Sequence, residues 1–123
     1  MQIDSKARLT NVAVTGSMAL YEGGFIYAKT RSEITGYNLQ ISKAGTFHTV
    51  KGKGGSFYLS DSKLTLEKSS ITSSQSCKGG GLFTDRANVD LKSSKFNKNL
   101  ATNEGSVMYL FASRVTISQS ELS

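Results

Sequence analysis

Four glycines recur along the chain, and each opens a short stretch of strand-forming residues. They are Gly24, Gly55, Gly81 and Gly105, separated by 31, 26 and 24 residues. Self-similarity at such a period is typical of solenoids and propellers, in which each repeat buries its apolar face against its neighbours. Glycine at these positions permits a turn with positive φ or a close approach of two backbones. The chain is therefore expected to build its core by stacking repeats.

Three apolar positions recur at similar distances after each glycine, and each set is expected to stack into a ladder. The first set is Ile26, Phe57, Phe83 and Val107; the second is Ile34, Leu64, Val89 and Val115; the third is Ile41, Ile71, Phe96 and Leu122. Copies of one position in neighbouring parallel strands lie about 4.8 Å apart, so similar side chains pile up along the axis of a solenoid.

The spacing of these residues determines the predicted fold class. Each repeat contains three short stretches that alternate apolar and polar residues, which is the periodicity of strands. The shortest repeat, 24 residues, has no room for crossover helices, and hairpin turn pairs such as Asn-Gly are missing from the sequence. We predict an all-β fold, a right-handed parallel β-helix solenoid of about four to five rungs, each of ~24–31 residues, with no helices of note.

The ends of the chain predict its organisation. We expect residues 1–123 to form a single β-helix segment of a longer solenoid, because the chain stops at Ser123 within a rung and neither end carries a polar cap. The expected partners are flanking rungs of the same longer chain, or end-to-end contacts with other protein chains. The sequence has no stretch of about 18 apolar residues that could span a membrane, and no signal-peptide pattern at its start.

The glycine motifs resemble those of pectin-lyase-like repeat proteins. Gly-Gly-x-apolar occurs as Gly23-Gly24-Phe25-Ile26, Gly54-Gly55-Ser56-Phe57 and Gly80-Gly81-Leu82-Phe83, and Phe96-Asn97-Lys98-Asn99 matches Phe-x-x-Asn. These motifs are similar to repeats of the chlamydial polymorphic outer-membrane proteins and of β-helix repeat proteins from protists and ciliates. The resemblance implies a right-handed parallel β-helix and an extracellular or cell-surface location.

The sequence contains little material for catalysis, and we predict that the chain is not an enzyme. Its nine acidic residues are spread singly, and His48 is its only histidine. Neither a metal site nor a catalytic triad is expected from such a set, and no cofactor is expected either. An approach of Asp61 and Asp85 across adjacent rungs stays open, since two carboxylates at a suitable separation could act on a glycosidic bond.

One repeat is longer than the others. Fourteen residues separate Ile41 from Gly55, whereas nine or ten separate the matching positions elsewhere. The extra residues lie within 42–54, which also contain Lys43, His48, Lys51 and Lys53. Insertions in solenoids form loops on one face, often the binding face. These four residues are therefore a candidate loop for an anionic ligand such as an acidic glycan; the alternative is an ordinary insertion with solvated lysines.

Charge and fold together give the predicted function. The net charge is +6, but the basic residues are scattered rather than gathered in one run, so nucleic acid is not the expected partner. We expect a non-catalytic structural or adhesive module of a larger surface or secreted protein, acting as a rigid spacer or binding surface. The alternatives are a polysaccharide-binding or polysaccharide-active fragment, lyase-like or hydrolase-like, and a subunit that stacks end to end in a filament.

Overall fold

The structure, a computed structural model, describes residues 2–3, 5–46 and 51–123. This part of the chain is an all-β parallel solenoid of about four turns and contains no helix. The predicted fold class is thereby confirmed. None of the described residues belongs to a helix that could cross a membrane.

Each complete turn contains four short strands. The first turn has β1 (Gln2–Ile3), β2 (Lys6–Thr10), β3 (Ala13–Thr15) and β4 (Met18–Ala19); the second has β5 (Ile26–Ala28), β6 (Glu33–Tyr37), β7 (Gln40–Ser42) and β8 (Gly45–Thr46); the third has β9 (Phe57–Ser60), β10 (Lys63–Glu67), β11 (Ser70–Thr72) and β12 (Gln75–Lys78); the fourth has β13 (Leu82–Asp85), β14 (Asn88–Lys92), β15 (Lys95–Asn97) and β16 (Leu100–Glu104); β17 (Met108–Phe111), β18 (Arg114–Ser118) and β19 (Glu121–Leu122) follow.

The strands form four parallel sheets that run along the axis of the solenoid. Sheet A has the order β1-β5-β9-β13-β17, sheet B β2-β6-β10-β14-β18, sheet C β3-β7-β11-β15-β19, and sheet D β4-β8-β12-β16. The three stretches per repeat expected from the sequence correspond to sheets A, B and C. Sheet D escapes that pattern because strands such as Gly45–Thr46 and Gln75–Lys78 contain few large apolar residues.

Two of the three predicted apolar ladders are confirmed by the strand register. In sheet B, Leu64 pairs with Ile34 on one side and Val89 on the other, and Val89 pairs with Val115. In sheet C, the ladder is Ile41, Ile71, Phe96 and Leu122. The members from the middle turns are almost completely buried, so these columns form the core.

The first predicted ladder is wrong in its second half. Ile26 pairs with Phe57 as expected, but the next members of the column are Leu82 and Met108. Phe83 is one position further along and aligns with Tyr58 and Tyr109, on the opposite face of sheet A from the core. Val107 lies one position before Met108. Phe83 is misaligned because glycines fill positions 79–81, and Gly80, not Gly81, matches Gly55. Val107 is misaligned because the fourth motif has only Gly105, which matches Gly79.

The predicted turn glycines fall into two structural roles. Gly105 has a φ of +67°, and the matching corner of the other turns holds Gly23, Gly54 and Gly79, also with positive φ. Gly24 and Gly55 instead lie where turns approach each other, and a Cβ on either would collide with backbone atoms of the next turn. A Cβ on Gly81 would press on the Phe96 ring, 2.8 Å away.

Buried serines line the corner between sheets B and C. The Ser69 hydroxyl oxygen accepts the Leu39 amide N–H at 3.1 Å, and Ser94 accepts the Ser69 N–H at 3.2 Å. Ser120 accepts the Ser94 N–H at 3.0 Å. Each hydroxyl also donates to the carbonyl two residues earlier. The column therefore satisfies backbone amides that the tight corner removes from water.

Candidate functional site: a lysine groove beside an aromatic ladder

Four aromatic side chains stack on the outer face of sheet A. Tyr27, Tyr58, Phe83 and Tyr109 come from successive turns, and their ring centroids are 5.1, 5.3 and 5.0 Å apart. The planes of adjacent rings differ by 18°, 3° and 5°. This stack follows from the in-register pairing of β5, β9, β13 and β17, which places one ring per turn at the same position.

The middle of this aromatic ladder is closed to ligands. Tyr58 and Phe83 are only 8% and 6% exposed, because each has a ring against both of its faces. Burial raises the pKa of the Tyr58 hydroxyl to about 12, and the negative charge of Glu22 adds to the effect. A flat ligand therefore cannot stack on the central rings, and the ladder serves as a surface against which neighbouring side chains pack.

A column of charged residues runs beside the aromatic ladder. Parallel bridges join Glu22 to Lys53 and Lys53 to Lys78, and the register of β12 with β16 adds Glu104. Two lysines thus occupy adjacent turns, with a glutamate on either side. The Lys78 ammonium lies 3.5 Å from the Glu104 carboxylate, with 29% of the Lys78 side chain exposed.

Both lysines of the column lean over the aromatic ladder. The Lys53 ammonium lies 5.2 Å from the centroid of the Phe83 ring, and the Lys78 ammonium lies 5.1 Å from that of Tyr109. A cation over an aromatic ring is attracted by the ring quadrupole, by about 0.5–1 kcal/mol at an exposed site. These contacts restrict where the two ammonium groups lie.

The lysines border a groove of about 520 Å³. Its lining comprises Tyr21, Glu22, Lys51, Lys53 and Lys78. Three lysines against one glutamate make the groove basic, and such a concentration of like charge attracts anions. Among residues 2–3, 5–46 and 51–123, no histidine or cysteine lines the groove, and no group of three or more His, Cys, Asp or Glu side chains could hold a metal ion.

The structure brings together part of the predicted anionic-ligand loop. Lys51 and Lys53 line the groove, whereas Lys43 does not. Lys43 has a φ of +57° and forms the corner between β7 and β8, where its N–H bonds to the Thr72 carbonyl. His48 lies outside the described residues.

Sequence reasoning missed Lys78 and Glu22 because the groove is assembled from different turns. A signal for them exists, since each of the four positive-φ glycines that align at the corner before sheet A follows a charged residue. The four pairs are Glu22-Gly23, Lys53-Gly54, Lys78-Gly79 and Glu104-Gly105. Alignment on these pairs predicts the whole charged column.

Asp61 and Asp85, whose approach across adjacent turns the sequence leaves open, both form ion pairs with Arg86. The Arg86 guanidinium lies 3.3 Å from Asp61 and 3.2 Å from Asp85. This triad is largely exposed at the corner between sheets A and B. Because both carboxylates face one cation, the arrangement is an ion-pair network on the surface.

No family model, no curated protein and no solved structure matches the chain.

Proposed function

We propose that the chain is a non-catalytic structural module of a larger surface or secreted protein, serving as a rigid spacer that presents a binding surface. The observation that supports this proposal is the continuous register of the four sheets, with matched residues stacked from turn to turn. The extracellular or cell-surface setting rests on the resemblance of the glycine repeats to pectin-lyase-like repeat proteins.

Rigidity follows from how the turns are joined. Backbone hydrogen bonds connect each turn to the next in every sheet, and the serine column adds further bonds at one corner. The core is continuous through the middle turns, with Leu64, Leu66 and Ile71 fully buried. Bending such a stack would break several of these contacts at once, so the module is expected to resist deformation.

Hydrogen exchange tests the rigid-spacer proposal. The amides of β6, β10 and β14 are expected to exchange slowly and through one shared opening, since these strands lie in the middle of sheet B. Independent openings of neighbouring strands, with widely different exchange rates, would contradict a rigid module.

A polysaccharide-active module is the second candidate, because Lys53 and Lys78 in the groove could contact the carboxylate of a single acidic sugar unit. Incubation with polygalacturonate, with and without Ca²⁺, separates the two candidates. A spacer leaves the polymer intact, whereas a lyase or hydrolase releases new reducing ends, and a lyase also forms unsaturated uronates. Product formation that is lost in Lys53→Gln would replace the spacer proposal with this one.

End-to-end stacking of identical copies receives less support from the structure. The last described turn exposes apolar side chains such as Leu110 and Ile117, which would suit another turn. However, the column that starts at Lys6 ends at Arg114. A second copy in the same register would place these like charges in adjacent strands, which is destabilising.

A further inference from the structure

We propose that Lys53 and Lys78 form a binding site for a single tetrahedral oxyanion, the phosphate of a phosphomonoester or inorganic phosphate. This site goes beyond the structural role proposed above. It lies in the groove that Tyr21, Glu22 and Lys51 line together with these two lysines.

The backbone fixes the separation of the two principal lysines. The parallel bridge between Lys53 and Lys78 places their Cα atoms in adjacent turns, about one strand spacing of 4.8 Å apart. Both side chains lean to the same side, over Phe83 and Tyr109. A group a few ångströms across can therefore contact both ammonium groups at once.

Lys53 retains its capacity to bind an anion. Its ammonium lies over the Phe83 ring, and within residues 5–46 and 51–123 it forms no ion pair with a carboxylate. An aromatic ring holds the cation in place without neutralising it. Lys78 differs, because Glu104 already lies 3.5 Å from its ammonium.

The chemistry of the donors favours a tetrahedral anion. The cations that line the groove in the described part of the chain are Lys51, Lys53 and Lys78, and each ammonium is a compact charge with three donors and no preferred plane. Planar carboxylates are matched better by the forked guanidinium of arginine, and no arginine is found among the described residues that line the groove. Lys51, Lys53 and Lys78 outnumber Glu22 and Glu104, and this excess of positive charge attracts a phosphomonoester, whose charge at neutral pH is about −1.5 to −2.

The acidic ends of the column limit the ligand to one anionic group. Glu22 lies on one side of the lysine pair and Glu104 on the other. A polyanion that followed the solenoid axis would meet a carboxylate in each direction, and like charges in adjacent strands repel. The site therefore favours a small phosphate over an acidic polymer.

Calorimetric titration of the whole chain with inorganic phosphate and with glucose 6-phosphate tests the site. We expect saturable one-site binding of at least one of them, weakened about tenfold or more in Lys53→Gln and in Lys78→Gln, since each removes a charged donor. Lys29→Gln is the matched control, because Lys29 also lies over an aromatic ring, Tyr27, but outside the groove. Tighter binding of one ligand identifies free phosphate or the ester as the source.

The pH of the titration and the charge of Glu22 provide two further tests of phosphate binding at this site. Affinity for phosphate should fall several-fold between about pH 7.5 and about pH 5, because the second pKa of a phosphomonoester is near 6, whereas affinity for sulfate should not. Glu22→Gln should bind phosphate about threefold more tightly, because a nearby negative charge is removed.

Three results would overturn the phosphate site. They are the lack of saturable binding by the folded protein, an equal loss of affinity in Lys29→Gln, and stronger binding of oligogalacturonate or single-stranded DNA than of either phosphate. Circular dichroism of each variant checks that it is folded. The hydrogen-exchange test of the spacer is independent, so the two proposals can fail separately.

Discussion

Thr84 is a hydroxyl-bearing residue in an apolar column of the core. It pairs with Leu59 and Leu110 in sheet A, is completely buried, and its Oγ1 forms no hydrogen bond. Burial of an unbonded hydroxyl costs about 1–3 kcal/mol. Thr84→Val should therefore raise the free energy of unfolding by about 1 kcal/mol, as measured by urea denaturation.

The control for Thr84→Val is Thr35→Val at an exposed position, which should change the free energy of unfolding by less than about 0.5 kcal/mol. Destabilisation by Thr84→Val would contradict the assignment of an unbonded hydroxyl.

Tyr58 should make stability depend on alkaline pH. Its pKa is raised from 10.0 to about 12 in the folded protein, by burial first and by Glu22 second. The unfolded chain then loses this proton at lower pH than the folded one, so the stabilisation is complete below about pH 10 and is lost as the pH rises towards 12. We expect the loss to reach at most about 3 kcal/mol, since each pKa unit corresponds to about 1.4 kcal/mol.

Variants of two tyrosines test this pH dependence. Tyr58→Phe keeps the ring stack and should flatten the fall in unfolding free energy between about pH 10 and about pH 12. Tyr37→Phe, at a residue that is 39% exposed, should leave the fall unchanged. An identical slope in wild type and Tyr58→Phe would rule out the raised pKa as its cause.

At the scale of the element, the serine column holds the corner between sheets B and C. Ser94 accepts the Ser69 N–H and donates to the Lys92 carbonyl. Ser94→Ala leaves the buried N–H without a partner and should lower the free energy of unfolding by about 1–3 kcal/mol. The neighbouring Ser93→Ala, which removes an exposed bond to Gln119, should cost less than about 0.5 kcal/mol. Similar urea midpoints for both variants would show that the column contributes little.

The elements differ in how far the sequence predicts them. Sheets B and C are predictable because large aliphatic and aromatic residues such as Leu64 and Phe96 recur at one position in every turn. Sheet D is not, because its strands pack through small residues such as Gly45 and Ser76, which leave no hydrophobic period. The longer repeat predicts two of the groove residues, Lys51 and Lys53. Lys78 joins them only because β-strand register places it beside Lys53, and the three consecutive glycines that follow Lys78 hide this register in the sequence.

At the scale of the whole molecule, the register predicts that one turn can be removed cleanly. Lys63 pairs with Asn88 in the next turn. Deletion of residues 63–87 therefore joins Ser62 to Asn88, which takes the position that Lys63 occupied. Every column then remains aligned, with Ile34 facing Val89 and Phe57 facing Met108. The shortened chain should fold cooperatively with a smaller denaturant m-value, because less surface is buried.

A deletion that is one residue shorter is the control for turn removal. Removing residues 63–86 retains Ala87 and shifts sheets B and C by one position, which exchanges inward and outward side chains. This variant should lose cooperative unfolding. If both deletions fold equally well, register does not determine the stability of this solenoid.

The aromatic ladder also gives the molecule an optical signature. Parallel rings about 5 Å apart couple their electronic transitions, and the chain has no tryptophan to mask them. The near-ultraviolet circular dichroism of the folded protein should therefore exceed that expected from isolated tyrosines and phenylalanines. Because each ring belongs to a different turn, this signal reports the stacking of turns directly and would reveal a loosened solenoid whose strands are still present.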